Sequence, residues 1–537
     1  VDLLLAVLGL ASPLSPLLLG FVVPGLARLP AEQARRWVAG IALAALGLAA
    51  ATALLWAGTG SVSHSFLELG SASNVRLAVG VHIDGLTAVM LLTVTAIGAV
   101  VARYTARYLD GDPGQARFCR WLAYTLGSVL LFVVAHHLLL VFAAWVSTSF
   151  GLHRLLTFYR ERPAARLAAR KKFLVSRLGD VFLLAAFLWI HRVFGTFEYA
   201  ELFARVDEIA AANAPSVTGI ALLLALGAMT KSAQLPFHTW LPDTMETPTP
   251  VSALMHAGIV NAGGFLLVRM SPLLVAAPVA LALVAVVGAL TAVFAAVVML
   301  TQTDIKRKLG YSTVSQMGFM MLQCGLGAFP VAVLHIVGHS FYKGYAFLAA
   351  GSVVDPQVSA PHPRPAHVLR VGGGPLLGVL LLGAAVVATA AGAFALAFGA
   401  KPGLPVLGAV LALAVAQLLV IERQVAAEGG GPSPRRLGAA LRDGVALAAA
   451  YFVLAALFEG LLAGSVATSA TGSPGGLALA AALVALFAGA FALQLWLPRA
   501  AASRLGRRLY LHAYNGFYLG VLEDRLVQRI WPVREAA

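Results

Sequence analysis

The stretch AMTKSAQLPFHTWLPDTMETPTPVSALMHAGIVNAGGFLLVR (residues 228–269) decides how the whole chain is read. It joins the end of one apolar run, 216–235, to another, 250–270. Each run has about the twenty residues that cross ~30 Å of hydrocarbon. Lys231 stands inside the first run, five residues before Pro236, and His256 stands inside the second. A charge at membrane depth costs about 2.5 to 3.5 kcal/mol on insertion scales, so its default reading is functional. Pro236 removes a backbone hydrogen bond and predicts a broken helix beside Lys231. Broken helices at this depth face a polar cavity rather than lipid.

The rest of the chain repeats the pattern. Of 537 residues, 60% are hydrophobic and 11% charged, against about 25% charged in a soluble domain. Apolar runs long enough to cross a bilayer lie near 3–24, 37–57, 79–102, 121–135, 137–159, 172–194, 216–235, 250–270, 273–299, 309–327, 329–352, 374–398, 403–421, 441–464 and 475–497. A backbone in lipid must satisfy its own hydrogen bonds, so these runs are expected to be helices. The fold class expected is an all-α polytopic membrane protein with about 14–15 transmembrane helices. The first run, Leu3 to Val23, reads as a retained helix rather than a signal peptide.

The net charge of +15 does not point to nucleic acid, because the basic residues sit in short loops between apolar runs. Thirty of the 38 Lys and Arg residues follow helices 1, 3, 5, 9, 11 and 13 or lie in the C-terminal tail. Arg76, Arg192, Arg205, Arg269 and Lys401 fall on the other side. The bias predicts an outside N-terminus and a cytoplasmic C-terminus in a cell inner membrane. Cys119 and Cys324 lack any metal or disulfide spacing, so no metal or cofactor is expected in this chain. Residues Glu198 to Ala212 form an acidic, amphipathic surface segment. The tail beyond Arg499 mixes Arg with Tyr, Phe, Leu and Trp at helical spacing, as a helix lying on the lipid bilayer does; a partner-binding helix is the alternative.

The buried polar residues form the candidate site. Burial disfavours the charged form of a lysine, which suits Lys231 to gain and lose a proton. Arg177 and Asp180 lie three apart on one helix face; they either neutralise each other, or Asp180 faces Lys231. His256 has Asn261 and the small residues Gly258, Ala262, Gly263 and Gly264 after it, leaving room for water beside an imidazole suited to proton relay. His335, His339 and Lys343 recur at i, i+4 and i+8, which stacks them on one stripe. Paired histidines four apart also occur at zinc sites, but the H-E-x-x-H glutamate is missing and Lys343 would repel a metal, so a proton wire is the better reading. Asp243 and Glu246 either cap the following helix or stand at a channel mouth.

Three runs carry a resemblance to a known family: HTWLPDTMETPTPVSALMHAGIVNAGGFLLVR (238–269), TDIKRKLGYSTVSQMGFM (303–320) and HIVGHSFYKGYAFLAAGSVV (335–354). They resemble the proton-translocating antiporter-like subunits, which include the NuoL-type subunit of respiratory complex I and the large Mrp antiporter subunits. The resemblance covers roughly 80–355 and includes the DGL at 84–86. It implies an antiporter-like fold with broken helices. In that fold Lys231, His256, His335, His339 and Lys343 line a central hydrophilic axis between two half-channels. STSFGLHRLLTFYRERP (147–163), AARKKFLVSRLGD (168–180) and LHAYNGFY (511–518) look most like DabB-type inorganic carbon transporter subunits. Such subunits pair with a zinc-bearing DabA-type partner, as a heterodimer or larger complex, and couple protons or Na+ to conversion of CO2 into bicarbonate.

The chain departs from the family in two places. Val146 stands where the family has a glutamate after the tryptophan of its fifth helix, and 374–398 lacks the charge of the broken twelfth helix, with Lys401 just beyond it. The function implied is a proton- or cation-conducting transport subunit, not an enzyme; a Na+/H+ antiporter subunit or a complex I-like pumping subunit is the alternative. The expected organisation is helices one and two over 1–78, a translocating core over 79–355, C-terminal helices over 356–498 and a cytoplasmic amphipathic tail over 499–537.

Overall fold

Long apolar runs become long helices, and their polar interruptions mark where those helices break. The computed structural model describes residues 1–22, 29–69, 77–353, 373–399, 403–428, 434–467, 474–500 and 503–532. Arg76, Lys401 and the expected division at 355/356 lie outside them. The membrane helices are α1 (Asp2–Val22), α2 (Ala31–Thr59), α3 (Gly85–Tyr108), α4 (Gln115–Val134), α5 (Leu138–Leu156) and α6 (Pro163–Phe194). Two short surface helices follow, α7 (Tyr199–Ala204) and α8 (Val206–Ala212), on the acidic segment. Next come α9 (Ala214–Lys231), α10 (Thr249–Ala257), α11 (Ala262–Arg269), α12 (Ser271–Val275), α13 (Pro278–Thr301), α14 (Ile305–Gly325) and α15 (Phe329–Leu348). The C-terminal part holds α16 (Gly373–Phe398), α17 (Leu404–Glu428), α18 (Pro434–Leu461) and α19 (Pro474–Ala500), then the tail helices α20 (Arg504–Tyr514) and α21 (Leu519–Ile530).

Among the described residues thirteen helical segments are long and apolar enough to span a membrane, with Thr249–Arg269 taken as one. The two other expected spans are α14 and α15, of 21 and 20 residues. Both have spanning length, but Lys308, Gln316 and Gln323 on one and His335, His339, Ser340 and Lys343 on the other dilute their apolar character. The Thr249–Arg269 segment is wholly buried and forms the middle of the bundle.

Two features depart from the sequence expectation. The run expected as a helix from 79 begins as a strand: β1 (Val62–Leu69) pairs antiparallel with β2 (Leu77–Ile83), with an irregularity between Ser65 and Leu67. Val79, Val81 and Ile83 supply the alternating β-branched residues that favour a strand. The helix starts only where Asp84 caps it, its Oδ1 accepting the Thr87 N–H at 2.8 Å. The second departure is α6, which starts at Pro163 rather than 172, so Arg166, Arg170 and Lys171 lie on helix, not loop.

Helices in lipid associate through close packing of small residues. Gly179 of α6 is one such point, since a Cβ there would come within 2.1 Å of the Thr230 hydroxyl on α9. This contact lies beside both Asp180 and Lys231 in sequence and brings their helices together.

Candidate functional site

The break expected after Lys231 is present. α9 stops at Lys231, and 232–248 runs without α-helix, apart from a 3-10 turn at Thr244–Glu246, before α10 starts. The Lys231 ammonium is buried; it donates to the Trp145 carbonyl (3.1 Å) and the Ser149 hydroxyl (3.3 Å), and lies 4.4 Å from the centre of a Trp145 ring. Its hydrogen bonds therefore go to neutral acceptors on α5. Asp180 is held instead by Arg177, with Nη2 to Oδ2 at 2.7 Å. The i, i+3 pairing read from sequence is thus formed, and Asp180 makes no hydrogen bond to Lys231.

A second break, without a proline, divides α10 from α11. Gly258 leaves helical geometry (φ −128°, ψ −65°), and Ile259–Asn261 form a 3-10 turn. The Ser232 hydroxyl donates to the Val260 carbonyl (2.6 Å), and Asn261 Nδ2 donates to the Ser340 hydroxyl (2.9 Å). Polar groups of the break thus link the end of α9 to α15. His339 Nε2 lies 3.2 Å from the His256 carbonyl oxygen, and the His335 and His339 rings are 6.0 Å apart. Lys343 donates to the Ser312 hydroxyl at 2.7 Å. The His256 ring stacks on Phe347 at 4.3 Å, and neither of its nitrogens is hydrogen-bonded to protein. A buried imidazole in that state is left to hydrogen-bond to water. His256, His335, His339 and Lys343 therefore gather around α15, with Lys231 reached through the breaks.

Asp243 and Glu246 do not cap α10, whose N-cap is Pro248. Glu246 pairs with Arg162 at 3.0 Å, and Asp243 pairs with Lys171 at 2.6 Å. Lys171 is buried and binds a second carboxylate, Asp524 of α21, at 2.5 Å. The tail is latched further by Glu523 with the Thr239 hydroxyl, by Arg170 donating to the Trp531 carbonyl (3.0 Å) and by the Phe173–Trp531 ring contact. The α21 helix thus sits over the polar 232–248 segment. Asp524→Asn is expected to loosen it, because buried Lys171 loses one of its two carboxylates, and the readout is faster trypsin cleavage at exposed Arg525 in intact membranes.

Two groups escaped the sequence reading. Lys172 is buried on α6 and donates to the Ser149 carbonyl (2.8 Å) and hydroxyl (3.2 Å). Its stripe, Lys172, Ser176 and Asp180 at i, i+4 and i+8, could have revealed it. The other is a buried ion pair: Arg269 donates to Asp84 through Nη1 (2.5 Å) and Nη2 (3.0 Å), with His82 Nε2 3.3 Å from Asp84. Burial alone would raise the Asp84 carboxyl, but the Arg269 guanidinium and the His82 ring outweigh it and hold it well below the usual carboxylate range.

Residues 135–421 match the family described as "NADH:quinone oxidoreductase/Mrp antiporter, TM", and residues 70–119 match "NADH-Ubiquinone oxidoreductase (complex I), chain 5 N-terminus". The probable inorganic carbon transporter subunit DabB2 of Halothiobacillus neapolitanus is 39% identical over 85% of this chain and 81% of its own length. The corresponding DabB subunit of Hydrogenovibrio crunogenus is 44% identical over 51% of this chain, and the match spans about half of that relative, at 53%. NADH-ubiquinone oxidoreductase chain 5 of Metridium senile is 44% identical over 51% of this chain and 46% of its own. Among solved structures, the Mrp complex of a Dietzia species superposes with a TM-score of 0.56 at 27% identity, covering 99% of this chain and 57% of that one. The motif resemblance, the broken helices and these matches agree: the chain belongs to the NADH:quinone oxidoreductase/Mrp antiporter family of multi-pass membrane proteins.

Proposed function

We propose that this chain is the ion-conducting membrane subunit of an inorganic carbon uptake complex in the cell inner membrane. In that complex it would lend a proton or cation gradient to a zinc-bearing DabA-type partner that hydrates CO2. The observation that carries proton conduction is Lys231, buried at a helix break with its ammonium on neutral acceptors. A lysine so placed can release its proton, whereas one bound to a carboxylate would hold it. The long match to DabB2 supports the choice of inorganic carbon over the other members of the family.

In this reading a proton enters from outside, passes among His339, His335 and His256, and reaches Lys231. Lys343, Arg177 and Asp180 set the local field, and Asp243 and Glu246 stand near the cytoplasmic mouth. The orientation is N-terminus out and C-terminus in, and the translocating core is 79–355. One charge moving down 100 mV releases about 2.3 kcal/mol, the energy available for coupling. The chain itself transports and does no bond chemistry.

The test is purification of the chain from its native membrane, with identification and metal analysis of whatever accompanies it. A stoichiometric large zinc-containing subunit is the expected result. Small Mrp-type subunits, or quinone-reductase subunits, would overturn the assignment in favour of an antiporter or a redox-driven pump.

A further inference from the structure

Ser149 is shared by two buried lysines from different helices. Its hydroxyl lies 3.3 Å from the Lys231 nitrogen at the end of α9 and 3.2 Å from the Lys172 nitrogen on α6. Lys172 is further held by the Ser149 carbonyl, and Lys231 by the Trp145 carbonyl. Both side chains and Ser149 are buried. Among the described residues no carboxylate is hydrogen-bonded to either ammonium. Asp180, one of the charged or titratable groups facing the pair with Arg177 and His153, is engaged by Arg177.

Two like charges on one hydroxyl in a low-dielectric interior disfavour each other. The arrangement therefore favours one ammonium and one neutral amine over two ammoniums. A serine hydroxyl between a donor and an acceptor can both accept and donate. We propose that Lys172 is a second proton carrier, exchanging a proton with Lys231 through the Ser149 hydroxyl. In the exchange the N–H bond of protonated Lys172 breaks as Ser149 Oγ takes that proton. The original Ser149 O–H breaks in turn, its proton going to the lone pair of the neutral Lys231 amine. The hydroxyl is regenerated, the charge moves from one helix to the other, and the reverse step is the mirror image.

The direction of this extension matters. Lys172 adjoins Lys171, whose side chain meets Asp243 and Asp524 under the tail helix. Exchange through Ser149 thus carries the line from Lys231 toward the end of α6 that the tail covers. The inference rests on the reading of the chain as a proton conductor.

The competing role is structural: Lys172 ties α6 to α5 through the Ser149 carbonyl. Arginine separates the two, because it keeps the charge and the donors but does not release a proton. The experiment measures potential-driven proton flux, by an internal pH dye, in vesicles holding the purified native complex. Lys172→Arg and Lys172→Met are both expected to lower flux by about tenfold or more. Ser149→Ala, the milder change, should lower it as well, while Ser176→Ala on the same stripe leaves it unchanged. Wild-type flux in Lys172→Arg or in Ser149→Ala overturns the exchange and leaves the proton-conducting reading standing. Absence of flux from the wild-type complex overturns that reading, and the exchange with it.

Discussion

Lys231→Ala is expected to reduce proton flux, and any growth on scarce inorganic carbon that depends on it, to background. The protein should still accumulate and assemble. The loss is large because Lys231 stands at the point where α9 ends and the polar break begins, and alanine leaves no group there that binds a proton. Assembly survives because the groups it leaves are neutral: the Trp145 carbonyl, which is backbone, and the Ser149 hydroxyl, which Lys172 still contacts. Removing a membrane-buried charge also relieves an insertion cost of about 2.5 to 3.5 kcal/mol. The check is flux in vesicles alongside the yield of intact complex from the same membranes. A mutant complex conducting at the wild-type rate would remove Lys231 from the path.

Asp84→Ala should act in the opposite way, on stability rather than on conduction. It leaves Arg269 buried and unpaired, and breaking a buried pair by removing one partner costs about 3 to 5 kcal/mol. Against a total of about 5 to 15 kcal/mol this is severe, and the N-terminal cap of α3 is lost with it. The expected result is a chain that fails to accumulate, measured as membrane yield and as a lower melting temperature in detergent. Asp84→Ala with Arg269→Leu should recover part of the loss, because no lone charge remains; equal or deeper loss in the double variant would contradict the account. The pH dependence has a definite sign. The Asp84 carboxyl titrates below its unfolded value, so its contribution is fully present above about pH 4 and is lost only as pH falls from there. Acidification from pH 7 to 5 should therefore leave this pair's contribution intact.

What could be read from sequence and what could not divide along physical lines. A charge in the middle of an apolar run is legible because lipid makes it costly, which is how Lys231, His256, His339 and Lys343 stood out. A proline is an audible break, so the interruption after Lys231 was expected. The break at Gly258 has no proline and shows only when α10 and α11 are seen apart. Lys172 sits at the head of an apolar run beside Arg170 and Lys171, where a string of basic residues reads as loop; its burial depends on α6 extending back to Pro163. The hairpin was hidden because its second strand flows without a turn into the apolar run of α3. The pairing of Arg269 was not legible because its partner, Asp84, lies 185 residues earlier, beyond any local pattern.

The latch between α6 and α21 also sets an order of events during synthesis. Lys171 meets its first carboxylate, Asp243, 72 residues later, but Thr239 must wait 284 residues for Glu523, and Arg170 waits 361 for the Trp531 carbonyl. Every membrane helix described has left the ribosome before α21 can settle. The tail thus docks only after the described helices, α1 to α19, have been made.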